Sequence, residues 1–263
     1  MSGGQALLRQ NGRGQEVFLI DGYSSLAYFY DALTENVEYA RRAKYLSSLL
    51  AENGCTGGIL LDLACGTGSL SVFFREMGYD LICADISPDM LTIARQKLPD
   101  TLLLCQDMRE LDLYGTIDGA VCSLDALNHL ENLDDFKKAV SRVSLFMNPG
   151  GVFVFDVNTI YKHREILKNN TFVYDLPEVY CVWANESQGN RVNFRLDIFA
   201  RDNESGLYSR FAEEFSENAW RLDEISEILD AVGFKITGIY DDMTKNPPTE
   251  KSERVYFVCV KNN

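Results

Sequence analysis

The residues with the most chemical content lie in one short stretch, Leu60-Leu61-Asp62-Leu63-Ala64-Cys65-Gly66-Thr67-Gly68-Ser69. An apolar run, two glycines and an amphipathic segment spell strand, tight turn and helix. A doubly wound sheet cradles an adenosine-containing ligand in this way. Gly66 and Gly68 carry no Cβ, so a ligand can approach the backbone closely, although a strand-to-helix turn needs glycine for its own geometry too. A nicotinamide or flavin site wants a third small residue in G-x-G-x-x-G/A, and counting from Gly66 that place is held by Ser71. Asp62 adds a carboxylate at the strand end, which repels a pyrophosphate but not a cation. The better fit is an adenosine ligand with positive charge and no phosphate.

A second candidate is His129, in Ser123-Leu124-Asp125-Ala126-Leu127-Asn128-His129. It follows an apolar run over 117–124 and so falls at the carboxyl edge of the sheet, where such folds present their ligands. An imidazole, with an ordinary pKa of ~6.5, suits proton transfer near neutrality. A structural histidine opening the following helix is the alternative. His163, in Tyr161-Lys162-His163-Arg164, reads as part of a solvated helix face.

The elements that must hold these residues follow from periodicity. Residues 23–52 read as helix, with Val37, Ala40, Ala43, Leu46 and Leu50 on one face. Strands are expected over 59–63, 80–84, 101–105, 117–124 and 151–157, with helices between them. One helix carries Leu70, Phe73, Phe74 and Met77 on a face; the next opens with Ser87 as N-cap and Pro88 at N1. Alternating strands and helices imply right-handed crossovers and a mostly parallel sheet. Near residue 160 the period changes to two: Val192, Phe194, Leu196 and Ile198 alternate with Arg191, Asn193, Arg195 and Asp197. Residues 159–216 therefore read as an antiparallel cap inserted after the fifth strand, on the edge of the sheet that carries the ligand crevice. Its aromatic supply (Phe172, Tyr174, Tyr180, Trp183, Phe194, Phe199, Tyr208 and Phe211) would wall an acceptor pocket or build the cap's own core. The α/β rhythm then resumes with a helix stopped by Gly233 and strands over 234–240 and 254–260. Residues 1–20 read as a flexible tail, and 21–158 with 217–263 as the main domain.

Composition narrows the function classes. Lys plus Arg number 25 against 39 Asp plus Glu, a formal net charge of −14 that disfavours nucleic acid and anionic lipid as partners. No stretch approaches the ~20 apolar residues of a membrane span. Seven cysteines without C-x-x-C spacing and two histidines argue against a metal site, and the expected setting is cytoplasmic.

With these residues in view, "LDLACGTGS" resembles motif I of the class I S-adenosylmethionine-dependent methyltransferases. The further motifs arrive in order over about 23–160 and 217–261. The resemblance implies a Rossmann-like methyltransferase fold with a seven-stranded sheet, S-adenosyl-L-methionine as cofactor and a small-molecule acceptor. It implies that Asp85 binds the ribose hydroxyls, that Asp107 accepts from the adenine amine and that Met108 offers the ring an apolar face. Ala64, where the commonest motif has glycine, Ile86, Met90 and Leu124 complete the expected cofactor contacts. The segment Tyr23–Asp31 is similar to the lid helix of small-molecule members, which puts Tyr23 and Tyr30 near the methionine moiety and makes Tyr30 a catalytic candidate beside His129. A packing helix remains the other reading of these tyrosines. The expected activity is methyl transfer to a nitrogen or oxygen of a small molecule, with a homodimer through the cap as a further expectation. A catalytically silent S-adenosylmethionine-binding protein and an NAD-dependent oxidoreductase are the alternatives. A nucleic-acid methyltransferase is disfavoured further because Ser123-Leu124-Asp125-Ala126 stands where an Asn/Asp-Pro-Pro-Tyr/Phe motif would lie.

Overall fold

In the computed structural model, residues 7–10, 16–19, 24–202 and 205–262 are described. Within the stretch read as a tail, β1 (Leu7–Gln10) pairs antiparallel with β2 (Glu16–Leu19). The helix expected over 23–52 is two helices, α1 (Ser24–Leu33) and α2 (Tyr39–Glu52). They are separated by a 3₁₀ turn over Glu35–Val37, and Glu38 takes a left-handed φ of 53°. Thr34 explains part of the break: its hydroxyl donates to the Tyr30 carbonyl at 2.6 Å and receives the Tyr39 hydroxyl at 2.8 Å. Ala43, Leu46 and Leu50 are buried as expected, whereas Ala40 is exposed beyond the break.

The α/β unit follows as β3 (Ile59–Leu63), α3 (Ser71–Glu76), β4 (Asp80–Asp85), α4 (Pro88–Lys97), β5 (Leu102–Cys105), β6 (Ile117–Cys122), α5 (Leu133–Phe146) and β7 (Met147–Asn158). Met77 departs from the expected α3 face. The helix stops at Glu76 and Gly78 turns the chain at φ 92°, which leaves Met77 exposed. Ser87 caps α4 by accepting from the Met90 N–H at 3.2 Å, with Pro88 at N1. The strand expected over 151–157 begins earlier, at Met147, with a bulge in its pairing to β6: Ile117 pairs with Met147 and Gly119 with Val152.

The cap is β8 (Thr171–Asp175), β9 (Val179–Gln188), β10 (Arg191–Arg201) and β11 (Tyr208–Asn218), an antiparallel sheet in the order β11-β10-β9-β8. The chain closes with α6 (Leu222–Ala231), β12 (Phe234–Asp241) and β13 (Arg254–Lys261).

The main sheet runs β12-β13-β7-β6-β3-β4-β5, with every strand in the same direction except β13, which is antiparallel to both its neighbours. β3 pairs with β4 on one side and β6 on the other, so the strand order reverses there. A doubly wound sheet opens its ligand crevice at that point, at the carboxyl ends of the strands. Burial on both faces explains the apolar runs. Phe153 and Phe155 of β7 join the cluster under α5 and α6, while Val152 and Val154 join the one under α2 and α3. A third core belongs to the cap: Val192, Phe194, Leu196 and Ile198 of β10 with Leu26 and Leu33 of α1.

Candidate active site

The crevice is a cavity of about 910 Å³, at the upper end of the ~300–1,000 Å³ common for ligand pockets. Its walls come from the carboxyl ends of β3, β4, β6 and β7, from α1, and from the inner face of the cap. Gly66 and His129 thus face one space with Trp183 and Phe194 of the cap above them. Of the aromatic residues expected to wall the acceptor pocket, Phe172, Tyr174, Trp183 and Phe194 do so, joined by Phe215. Tyr180 pairs with Phe199 and Phe211 packs on Phe29, away from the lining.

One half of the cavity is shaped by backbone. The Asp85 carboxylate at the end of β4 is held in place by two amides, Gly66 N–H at 2.8 Å and Ser87 N–H at 2.9 Å. Each oxygen keeps a lone pair for a further donor, as a cis-diol requires. Burial pushes this carboxyl up, and the two amides partly offset the effect. A Cβ added at Gly66 would meet no atom within 4 Å, so that backbone lies open. Gly68 has a packing role beside the ligand approach expected of it. A Cβ there would sit 3.0 Å from Leu98 and 3.3 Å from Ala94, so this glycine lets the loop pack on α4. Ala64 stands at φ 59°, a left-handed conformation that explains why glycine is the commoner residue in this motif. Asp62 is buried and accepts from the Ser71 hydroxyl; burial, then the charge of Asp85, pushes its carboxyl up to about 7. Ile86, Met90, Met108 and Leu124 line the same half.

Asp107 also reaches the wall, but Arg109 occupies it. The guanidinium Nε lies 3.0 Å from both carboxylate oxygens, Nη2 adds a further contact, and the Arg109 amide donates at 2.8 Å. This arginine holds the Asp107 carboxyl below its usual range. An adenine amine arriving here must share an acceptor already filled by the arginine, which the expected role did not include.

The other half is made of side chains. Asp156, fully buried in β7, accepts from Ser123 Oγ at 2.7 Å, Leu124 N–H at 2.8 Å and Asp125 N–H at 3.0 Å, and pairs with Arg254. It fixes a turn in which Leu124 and Asp125 both take positive φ, 61° and 55°. Arg254 also donates to Asp125 at 2.8 Å, and despite burial its charge holds the Asp125 carboxyl far below the ordinary value. Asn158 donates to Asp125 at 2.8 Å and Glu217 at 2.9 Å, and receives Lys162 Nζ at 2.9 Å. Burial, followed by Arg254, lowers the Lys162 ammonium.

The 3₁₀ turn Ala126–His129 follows, and His129 lies with Nε2 4.0 Å from Glu217 Oε1 and its ring 5.4 Å from that of Phe215. His163 is not on a solvated face. It is wholly buried in a π-helical turn (Lys162–Leu167), with Nδ1 2.8 Å from the Asn190 carbonyl oxygen and Nε2 3.4 Å from Glu217. The charged neighbours Lys162 and Arg164 had suggested exposure, but the wider turn carries the histidine inward under the cap. Tyr30 lines the cavity from α1, and Tyr23 lies outside the described residues.

Asp125, Asp156, Asn158, Lys162, Glu217 and Arg254 were not anticipated from sequence. One signal was available: Asp156 is a lone carboxylate inside the apolar run Val152–Val157.

The cavity accommodates the cofactor that the motifs implied. The Asp85 oxygens keep lone pairs for two further donors, Gly66 is bare, and Asp62 adds a second carboxyl to the wall. Comparison with known proteins agrees. The family described as Methyltransferase domain matches residues 60–151. A solved S-adenosylmethionine-dependent methyltransferase from Clostridium acetobutylicum ATCC 824 superposes with a TM-score of 0.84 at 31% identity, covering 92% of this chain and 99% of that one. The chain belongs to the S-adenosylmethionine-dependent methyltransferases. A relative of this methyltransferase in Bacillus subtilis (strain 168), YqeM, assigned by name as a methyltransferase, is 30% identical over 246 residues, 91% of this chain and 97% of that one. The dTDP-3-amino-3,4,6-trideoxy-alpha-D-glucopyranose N,N-dimethyltransferase of Streptomyces venezuelae is 34% identical over 120 residues, 45% of this chain and 50% of its own. Class membership removes the NAD-dependent oxidoreductase alternative. Among the described residues no helix is long and apolar enough to cross a membrane, and no cluster of ligands for a metal ion is found.

Proposed function

We propose that this methyltransferase acts on the nitrogen of a small polar amine, with His129 as the proton acceptor. The observation that carries the reading is the placement of His129 against Glu217 in the side-chain-built half of a cavity large enough for two ligands. A silent binding protein has no need of that second half. The amino-sugar N,N-dimethyltransferase among the relatives is in keeping with an amine acceptor.

When bound, the cofactor supplies a methyl carbon already activated by its sulfonium, so the protein's task is orientation and exclusion of water. Asp85 holds the ribose hydroxyls, Gly66 lets the loop backbone approach, and Asp62 favours the cationic methionine end. Met90 and Met108 flank the adenine, with Asp107 acting alongside Arg109. His129 takes the proton that an ammonium acceptor must lose before its lone pair can attack. Glu217 stabilises the imidazolium that results, and Asn158 keeps Glu217 in place. Tyr30 closes the cavity from α1, and Trp183 and Phe215 keep water from the reacting centre.

A screen of small-molecule extracts and of bulk RNA, DNA and protein with a labelled methyl donor tests the reading. Label is expected on a small amine and absent from the polymers. Transfer confined to nucleic acid or protein would overturn it.

A further inference from the structure

Helix α1 meets two parts of the molecule with two different faces. Leu26 and Leu33 are buried in the core of the cap, and Phe29 packs on Phe211 of β11 with ring centroids 6.1 Å apart. On another face Asp31 accepts from Thr67 Oγ1 at 2.6 Å and Ser69 Oγ at 2.8 Å, and pairs with Lys97 at the end of α4. Lys97 in turn donates to Ser69 at 2.7 Å. Although half-burial acts in the other direction, these donors hold the Asp31 carboxyl below its ordinary value. Thr67 is itself buried and follows Gly66, whose amide orients Asp85. A continuous chain of contacts therefore runs from the cap core through α1 and Asp31 to the loop that shapes the cofactor half.

We infer that Asp31 is a positioning residue, the latch through which α1 couples the cofactor loop to the cap over the acceptor half. The inference rests on reading the cavity as a joint cofactor and acceptor site. In the latched arrangement, ordering of loop 64–69 by a ligand draws on the same hydrogen bonds that fix α1, and α1 carries the order into the cap. Two sites joined by one rigid element share a coupling free energy, ordinarily worth about 5–150-fold in an equilibrium. The acceptor pocket is then completed only after the cofactor loop has closed, which protects the activated methyl group from water.

Hydrogen exchange with S-adenosylhomocysteine as the probe tests this. In the wild type, saturating probe is expected to slow amide exchange in loop 64–69 and also in β9 and β10, the latter by about tenfold. In Asp31→Ala at saturating probe, the loop should still be slowed while β9 and β10 return to their probe-free rates. Lys97→Met, which lies outside the cavity and keeps the hydroxyl contacts, should show a partial loss and serves if Asp31→Ala does not fold. Unchanged β9 and β10 in the wild type, or equal slowing in wild type and both variants, would overturn the latch alone. Failure of the probe to bind the wild type at all would overturn the cofactor reading, and the latch with it.

Discussion

The two halves of the cavity are built by opposite means. On the cofactor side the decisive groups are the backbone of residues 64–69 and the carboxyl groups of Asp62, Asp85 and Asp107, each held by contacts to residues near it in the chain. On the acceptor side they are side chains, brought from the turn after β6 and from β7, β11 and β13 across more than a hundred residues, and held by mutual charge and hydrogen bonds. The contrast teaches where variation is cheap. A ligand gripped by backbone geometry tolerates changes elsewhere, whereas a charge network transmits the loss of one member to all the others.

The most severe way to break this contrast is at Arg254, which faces Asp125 and Asp156 inside the protein. Arg254→Met leaves two buried carboxylates without their cation, and a loss of about 3–5 kcal/mol is expected in denaturant unfolding. Probe affinity, measured where the variant is folded, should change little. A variant of wild-type stability would show that the network is not what holds this half.

Next in size is His129→Asn. Removal of a positioned base ordinarily costs ~10²-fold or more in turnover. Initial rates on the acceptor identified by the methyl-label screen should fall accordingly, with S-adenosylhomocysteine affinity within about twofold. Equal rates would assign His129 to structure.

A third test separates the halves through pH. Burial and the Asp85 charge raise the Asp62 carboxyl from 3.8 to about 7. Between those values the folded chain keeps a proton that the unfolded chain has released, so this group lowers stability as pH rises from about 4 to about 7 and adds no further slope above. Asp62→Asn should lack that decline, so the variant gains on the wild type between pH 4 and pH 8 in urea unfolding. Parallel stability profiles would contradict the assignment.

The same division explains what the sequence could disclose. Motif I and the Ser87-Pro88 cap are local patterns, each readable within ten residues, and the resemblance they carried gave the fold, the cofactor and the place expected for Asp85. The cap was legible because its period-two pattern is also local. Glu217 and Arg254 sit in strands whose alternation gives no hint that either meets Asn158 or Asp125, because that meeting is a property of sheet order. His163 was misread for a related reason: a π-helical turn shifts the face that an α-helical count assigns. Gly68 shows the remaining ambiguity, since glycine before a ligand and glycine before a packed helix look alike until α4 is in place.

The most direct measurement is calorimetric titration of S-adenosylhomocysteine into the wild type and Asp85→Ala. Two hydrogen bonds to an ionised carboxylate are at stake, each worth ~1.5–3 kcal/mol. Binding to the wild type with at least a roughly tenfold loss in a folded Asp85→Ala variant is the expected result. Equal affinity in the two proteins would contradict the placement of the cofactor at the end of β4.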